Sequence, residues 1–327
     1  MTKFCAAAII GFRLFVSAEI VQAQSWVKPG ELRNKALIDA GLYTQWSIPA
    51  VNSRSLAEHP GFTTTHPFDG IVVRLLLDAK WCEEQGFDPN PDDPPQNQQP
   101  YLDSLVWSTH TVPYGAVESA IEDLKRVQWG TLTDNFVWYQ FRDEGGSPVD
   151  LTKQNDWASV QGNAVLTARV CREAELKGIF FDTEQYGYAP MKLGTPGLRR
   201  QRGQQWIEAV QSEFPEIRVL FTFAWCEDLD NTAFLVGMKD FLNGVLDGVR
   251  APAQLINAYE NTFYYGQSPG SRFTKKGFAG NRTQFASARS SIKSWKRLSG
   301  AADKYDHFVR IGMAAWLESD PWDLTPG

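Results

Sequence analysis

Apolar residues follow two alternating patterns along this chain. Short continuous apolar runs, typical of strands that are buried on both faces, occur at 42–50, 70–77, 136–141, 178–182, 218–225, 254–259 and 308–316. Between them, apolar residues recur at helical spacing in the stretches 116–127, 156–176, 198–214, 232–246 and 282–298. Strands that alternate with helices predict an α/β fold built on a parallel sheet.

Two connections lack this helical spacing. The stretch 52–69 is predicted to be irregular, and the acidic, proline-rich stretch 83–101 is predicted to be a long loop. By contrast, the segment Gly194-Thr195-Pro196-Gly197 predicts a turn before a helix, with Pro near the helix start.

The number of elements suits one (β/α)8 TIM-type barrel, a fold of roughly 250 residues. The apolar runs supply seven strands, whereas a closed barrel of this type needs one more. The given sequence reaches Gly327 soon after the seventh run. We therefore expect a single catalytic barrel domain over 24–327 that lacks its last strand, either because the chain is C-terminally truncated or because the barrel is an unusual open one.

The N-terminus has the pattern of a secretory signal. Lys3 precedes an apolar run from Phe4 to Val16, and Val21-Gln22-Ala23 forms a small-residue cleavage site. Residues 1–23 are accordingly predicted to be a signal peptide, which implies a secreted or periplasmic protein. No later stretch has the length of a membrane span.

Composition removes several function classes. The net charge is −6 and the basic residues are scattered, so nucleic acid is not an implied partner. Beyond Cys5 in the signal, Cys82, Cys171 and Cys226 are an odd number, which predicts partly buried thiols rather than a disulfide scaffold. The histidines form no zinc motif, and neither a Gly-x-Ser-x-Gly elbow nor a glycine-rich phosphate loop is present. No metal or cofactor is implied, and the sequence leaves the oligomeric state open.

The fourth apolar run ends in two carboxylates. Because alternate side chains of an extended strand share a face, Asp182 and Glu184 are expected to project together, while Phe181 and Thr183 project the other way. Two like charges this close predict a raised pKa for one of them, as a general acid requires. The plainer alternative is that these carboxylates cap the next helix or face solvent.

Other acidic and aromatic residues follow the remaining runs. Barrel enzymes place their sites at the C-terminal ends of strands, and carboxylates with aromatic platforms there are what glycoside hydrolysis requires. The chain contains 12 Trp, and flat rings stack on sugars. The candidate substrate-binding residues are Asp78, Arg74, Arg142, Tyr186, Trp225, Glu227, Tyr259 and Trp316.

The stretch Gly178-Ile179-Phe180-Phe181-Asp182-Thr183-Glu184 resembles the fourth-strand motif of chitinase-like glycoside hydrolases. The resemblance implies that Glu184 is the proton donor and that Asp182 orients an acetamido group of the substrate. Asn257-Ala258-Tyr259-Glu260 is loosely similar to the sixth-strand Tyr-Asp of that family. The likeness departs at Phe180, where the family has a further Asp. A broader likeness, to retaining barrel hydrolases, instead pairs Glu184 with Glu318.

These observations favour an exported hydrolase of polysaccharides or oligosaccharides. The predicted catalytic residues are Glu184 as general acid/base, Asp182 as its neighbour, and Glu318 or Glu260 as the second carboxylate. The alternatives are a barrel that binds glycans without turning them over, and a polysaccharide lyase that uses Tyr259 and Arg142.

Overall fold

The structure is a computed structural model, and it describes residues 37–39, 52–58, 69–87, 100–130, 132–141, 149–185, 189–226, 229, 232–259, 290 and 292–312. Within these residues, seven parallel strands form one sheet in chain order. They are β1 (Leu37–Asp39), β2 (Gly70–Val73), β3 (Phe136–Gln140), β4 (Gly178–Asp182), β5 (Arg218–Phe221), β6 (Gln254–Asn257) and β7 (Val309–Ile311).

Helices connect successive strands. They are α1 (Ser53–Glu58), α2 (Ala79–Glu84), α3 (Glu118–Arg126), α4 (Gln154–Glu173), α5 (Pro196–Glu213), α6 (Met238–Gly248) and α7 (Ala302–Phe308). Short 3₁₀ helices occupy 102–104, 114–116, 190–192, 233–235 and 295–298. The α/β fold with a parallel sheet, which the apolar patterns predicted, is confirmed.

The central elements agree most closely with the sequence. Strand β4 has the predicted bounds, and β3 ends one residue before the predicted limit. The predicted turn before α5 is also confirmed, since Thr195 is the N-cap and its side chain accepts a hydrogen bond from Leu198 N at 3.2 Å. Pro196 is the first helical residue, where its missing N–H costs nothing.

The early part of the chain differs from the expectation. The first strand is Leu37–Asp39, and the strand predicted over 42–50 lies outside the described residues. The stretch 52–69 was predicted to have no helix, yet α1 begins at Ser53. A reciprocal cap explains this start: Ser55 N donates to Asn52 Oδ1 and Asn52 N donates to Ser55 Oγ, each at 2.9 Å.

Two further helices were missed in the sequence. Helix α2 begins six residues after the end of β2 and takes up the first two residues of the predicted loop, of which 88–99 lies outside the described residues. Helix α7 occupies Ala302–Phe308 just before β7. Both are short, so two turns or fewer of helical spacing gave too little signal to recognise. Of the helix predicted over 282–298, residues 290 and 292–298 are described and are helical, and the last four form the 3₁₀ helix Trp295–Leu298.

The sheet separates two kinds of side chain. Phe181 of β4 points towards the helices, where its ring meets those of Trp206 in α5 and Phe241 in α6. Trp107 packs at the centre of the same cluster and is fully buried. Because strand side chains alternate, Phe180 and Trp138 lie on the other face, with their ring centroids 5.5 Å apart. Asp182 follows Phe180 by two residues and so shares that face.

Candidate functional site

The two carboxylates of the fourth apolar run lie at the C-terminal end of the middle strand. Asp182 is the last residue of β4 and is paired in register with Gln140, the last residue of β3. Asp182 and Glu184 are both partly exposed, whereas Thr183 and Gln185 are buried, with 0% and 3% of their surface accessible. The alternation expected from the sequence therefore continues past the end of the strand.

Asp182 also has a local structural role. Its Oδ1 accepts a hydrogen bond from Glu184 N at 3.1 Å and a long one from Thr222 Oγ1 at 3.4 Å. The first bond restrains the backbone that carries Glu184, because it ties that residue to the side chain two positions earlier. Asp182 does not cap the next helix, since no side chain caps the 3₁₀ helix 190–192 and Thr195 caps α5.

A buried ion pair lies beside them at the ends of β2 and β3. Arg74 Nη2 donates to Asp103 Oδ2 at 2.7 Å and its Nε donates to Oδ1 at 3.2 Å, which is the two-point fork that a guanidinium forms with a carboxylate. Gln140 Nε2 donates to the same Oδ2 at 2.7 Å. The guanidinium also lies over the ring of Tyr101, 3.9 Å from its centroid.

Arg74 is engaged inside the protein in this structure. The sequence suggested that it contacts substrate, but only 7% of it is exposed, and its guanidinium is already engaged by Asp103 and Tyr101. Burial raises the pKa of the Tyr101 hydroxyl, while the charge of Arg74 partly opposes that rise. The cation of Arg74 is therefore paired with a carboxylate that is itself buried.

Asp78 is the N-cap of α2. Its carboxylate accepts a hydrogen bond from Trp81 N at 2.9 Å, and its backbone is extended, as capping requires. Asp78 lies immediately before α2, and capping the first turn of that helix is its role in this structure. Burial is the main cause that raises the pKa of the Cys82 thiol to about 11, and the negative charge of Asp78 is the second cause.

The two predicted aromatic platforms in the described part are buried. Trp225 has no exposed surface; its ring meets that of Tyr305, and its Nε1 donates to Asn243 Oδ1 at 3.2 Å. Tyr259 is 7% exposed and packs edge-on against Trp295. Both side chains thus fill the core beyond β5 and β6, and neither presents a ring face to a ligand in this structure.

Trp225 is unusual in its backbone. Its φ of 50° is in the left-handed region, which bulky residues rarely adopt. Residues in this conformation persist only where the surrounding packing holds them, and they are found most often near functional sites. The strain lies at the C-terminal side of β5, at the same edge of the sheet as Asp182.

The remaining candidates lie outside the described residues. They are Glu260, Glu318, Arg142, Tyr186, Glu227 and Trp316. The structure therefore reports on one of the predicted carboxylate pairs, Asp182 and Glu184, and on neither candidate for the second catalytic carboxylate.

Several residues that shape this site were missed in the sequence. Asp103 lies in the short 3₁₀ helix 102–104, and nothing near it in sequence marks it as a partner of Arg74. Gln140 was identifiable, since it is the penultimate residue of the strand predicted over 136–141 and lies two residues before the candidate Arg142. Thr222 and Gln185 are ordinary polar residues whose roles depend on neighbours distant in sequence.

The three thiols agree with the expectation from composition. Cys82, Cys171 and Cys226 are all buried thiols. Burial raises the pKa of the Cys171 thiol far above its usual range, and this keeps it protonated and unreactive.

Comparison with known proteins adds no assignment. No family model matches the chain, and no curated protein matches it. Within the described ranges, no three His, Cys, Asp or Glu side chains are grouped so as to hold a metal ion. Over the same part of the chain, no helix has both the length and the apolar character needed to cross a membrane.

Proposed function

We propose that this protein is an exported glycoside hydrolase on a (β/α)8-type barrel that cleaves a polysaccharide or oligosaccharide. One observation carries the proposal: two partly exposed carboxylates, Asp182 and Glu184, stand at the C-terminal end of the middle strand of an all-parallel sheet. That edge is where parallel α/β folds bind their ligands. The strained backbone of Trp225 at the same edge supports this location.

In this proposal Glu184 is the general acid/base. It protonates the glycosidic oxygen of the leaving group while a second carboxylate stabilises or attacks the oxocarbenium-like centre. Asp182 orients the substrate and neighbours the acid, and Glu318 or Glu260 supplies the second carboxylate. The signal sequence at 1–23 would direct the protein to the periplasm or the exterior, where polysaccharides are encountered.

The alternative is a barrel that binds glycans without hydrolysing them. The hydrogen bond from Glu184 N to Asp182 Oδ1 favours it, because a carboxylate that binds the neighbouring backbone has a structural reason to be present. In that case Glu184 would contact a sugar hydroxyl and transfer no proton.

The test compares the mature protein with Glu184→Gln on a panel of polysaccharides, measuring reducing-end release and glycan binding together. Glu122→Gln is the control, since Glu122 is an exposed carboxylate on α3 paired with Lys125. Hydrolysis predicts that Glu184→Gln lowers release by roughly 10²–10⁴-fold, the usual contribution of a general acid, and leaves binding intact. Binding without release by the unaltered protein would favour the alternative, and release that survives in Glu184→Gln would exclude Glu184 as the acid.

A further inference from the structure

Glu184 is flanked by two buried polar residues that are fixed to the same neighbouring segment. Thr183 precedes it and Gln185 follows it, and each forms hydrogen bonds with the chain that follows β5. The partly exposed carboxylate is therefore carried between two anchored positions.

The first anchor is a pair of threonines. Thr183 N donates to Thr222 Oγ1 at 3.0 Å, and the two hydroxyl oxygens lie 3.2 Å apart. Thr183 Oγ1 also donates to Phe223 O at 3.0 Å and accepts from Phe223 N at 3.1 Å. If Thr183 gives its one proton to Phe223 O, the single proton of Thr222 can go to Thr183 Oγ1 or to Asp182 Oδ1, and not to both. Thr222 therefore lies within hydrogen-bond reach of Asp182 as well as of the residue before Glu184.

The second anchor is the amide of Gln185. Its Oε1 accepts from Met191 N at 3.0 Å, and its Nε2 donates to Val236 O at 3.1 Å. Its backbone N donates to Phe234 O at 2.9 Å. The side chain of Gln185 is therefore bonded to Met191 and to Val236, and its backbone is bonded to Phe234, so that Gln185 is tied to the segment that precedes α6.

We propose that Thr183 and Gln185 are positioning residues that hold Glu184 in its productive geometry. This inference rests on the proposed function, because it assigns these residues to the general acid. A catalytic group must be held to about 0.5 Å by supporting contacts, and a displacement of about 1 Å can cost about 100-fold in rate. Both anchors are buried, so losing a bond leaves polar atoms that water cannot readily reach.

The test uses Thr183→Val, which removes the hydroxyl and keeps the shape, and Thr183→Ser, which restores the hydroxyl. The control is Thr167→Val, since Thr167 is also fully buried and donates to a backbone oxygen, Asn163 O at 2.8 Å, but belongs to α4. Thr183→Val should lower kcat by about 10- to 100-fold with little change in KM, Thr183→Ser should recover most of it, and Thr167→Val should keep kcat. Gln185→Met should behave as Thr183→Val does, and it provides the second test should Thr183→Val fail to fold.

Equal kcat values in Thr183→Val and Thr167→Val, or a change confined to KM, would overturn the proposal. Amide hydrogen exchange separates this result from failure of the proposed function. If the unaltered protein turns over no glycan, peptides containing Glu184 should still exchange faster in Thr183→Val than in Thr167→Val. Equal exchange in the two variants would refute the anchor itself.

Discussion

Arg74 and Asp103 form a two-point ion pair that is almost wholly buried, with 9% and 1% of their side chains exposed. Removing one partner leaves the other charge uncompensated in the interior. We expect Asp103→Ala to lower the free energy of unfolding by about 3–5 kcal/mol, measured by urea denaturation. The double variant Arg74→Met/Asp103→Leu should lose less, because no charge remains to be solvated.

The control for this pair is Arg200→Met. Arg200 pairs with Asp247 at 2.6 Å near the surface, with 45% of the arginine side chain exposed. Exposed pairs contribute about 1 kcal/mol or less, so this variant should unfold close to the unaltered protein. An Asp103→Ala variant as stable as Arg200→Met would contradict the assignment of a buried, coupled pair.

Asp78 offers a direct choice between capping and substrate binding. As the N-cap of α2, it can be replaced by Asn, which caps a helix equally well, whereas Asp78→Ala should cost about 1 kcal/mol. Thermal unfolding measures the stabilities, and glycan binding measures the other role. A large loss of binding in Asp78→Asn, with stability unchanged, would show that the negative charge serves the ligand.

Cys82 should resist alkylation. Burial, with the charge of Asp78, raises its pKa to about 11, so the native thiol stays protonated until the pH nears that value. The stabilisation linked to this group is present below the ordinary thiol pKa and is lost as the pH rises towards 11. Iodoacetamide labelling followed by peptide mass spectrometry should therefore be slow at pH 8 in the native protein and fast in urea. Comparable labelling rates in the two states would contradict this.

The crossing of α5 and α6 depends on glycine. A Cβ on Gly203 would lie 1.9 Å from Phe241 O, and one on Gly244 would lie 1.8 Å from Arg200 O. Each helix thus brings its backbone against the other, and overpacking of this kind costs about 1–3 kcal/mol or more. We expect Gly203→Ala to lower the free energy of unfolding by about 1–3 kcal/mol or more.

Gly162 provides the matched control within a helix. A Cβ there would meet only Thr111 Cγ2 at an ordinary 3.6 Å. Since Ala is about 1 kcal/mol better than Gly in a helix interior, Gly162→Ala should be neutral or stabilising. Urea denaturation of both variants checks the contrast, and a Gly203→Ala variant as stable as Gly162→Ala would disprove the close crossing.

Local sequence patterns predicted the long helices and the central strands well. The run 178–182 and the Thr195-Pro196 helix start needed no knowledge of the rest of the chain, because strand alternation and capping act over a few residues. The short helices α1, α2 and α7 were missed because so few turns leave little periodicity.

Chemistry at the site was predictable only in part. The spacing of two residues between Asp182 and Glu184 was enough to predict that both side chains lie on the same face of the extended chain. It was not enough to show that Trp225, an attractive platform by its position, is buried against Tyr305. Whether an aromatic ring faces solvent depends on which elements pack over it.

The sequence by itself determined the alternation of strands and helices, the bounds of β4, and the shared side of its two carboxylates, since each follows from backbone geometry within one element. Only the tertiary structure decided which partners meet. Asp103 lies 29 residues from Arg74, and Thr222 lies 40 residues from Asp182. A pattern along one strand fixes the face on which a side chain lies, but the partner on that face is chosen by how distant segments stack on the sheet.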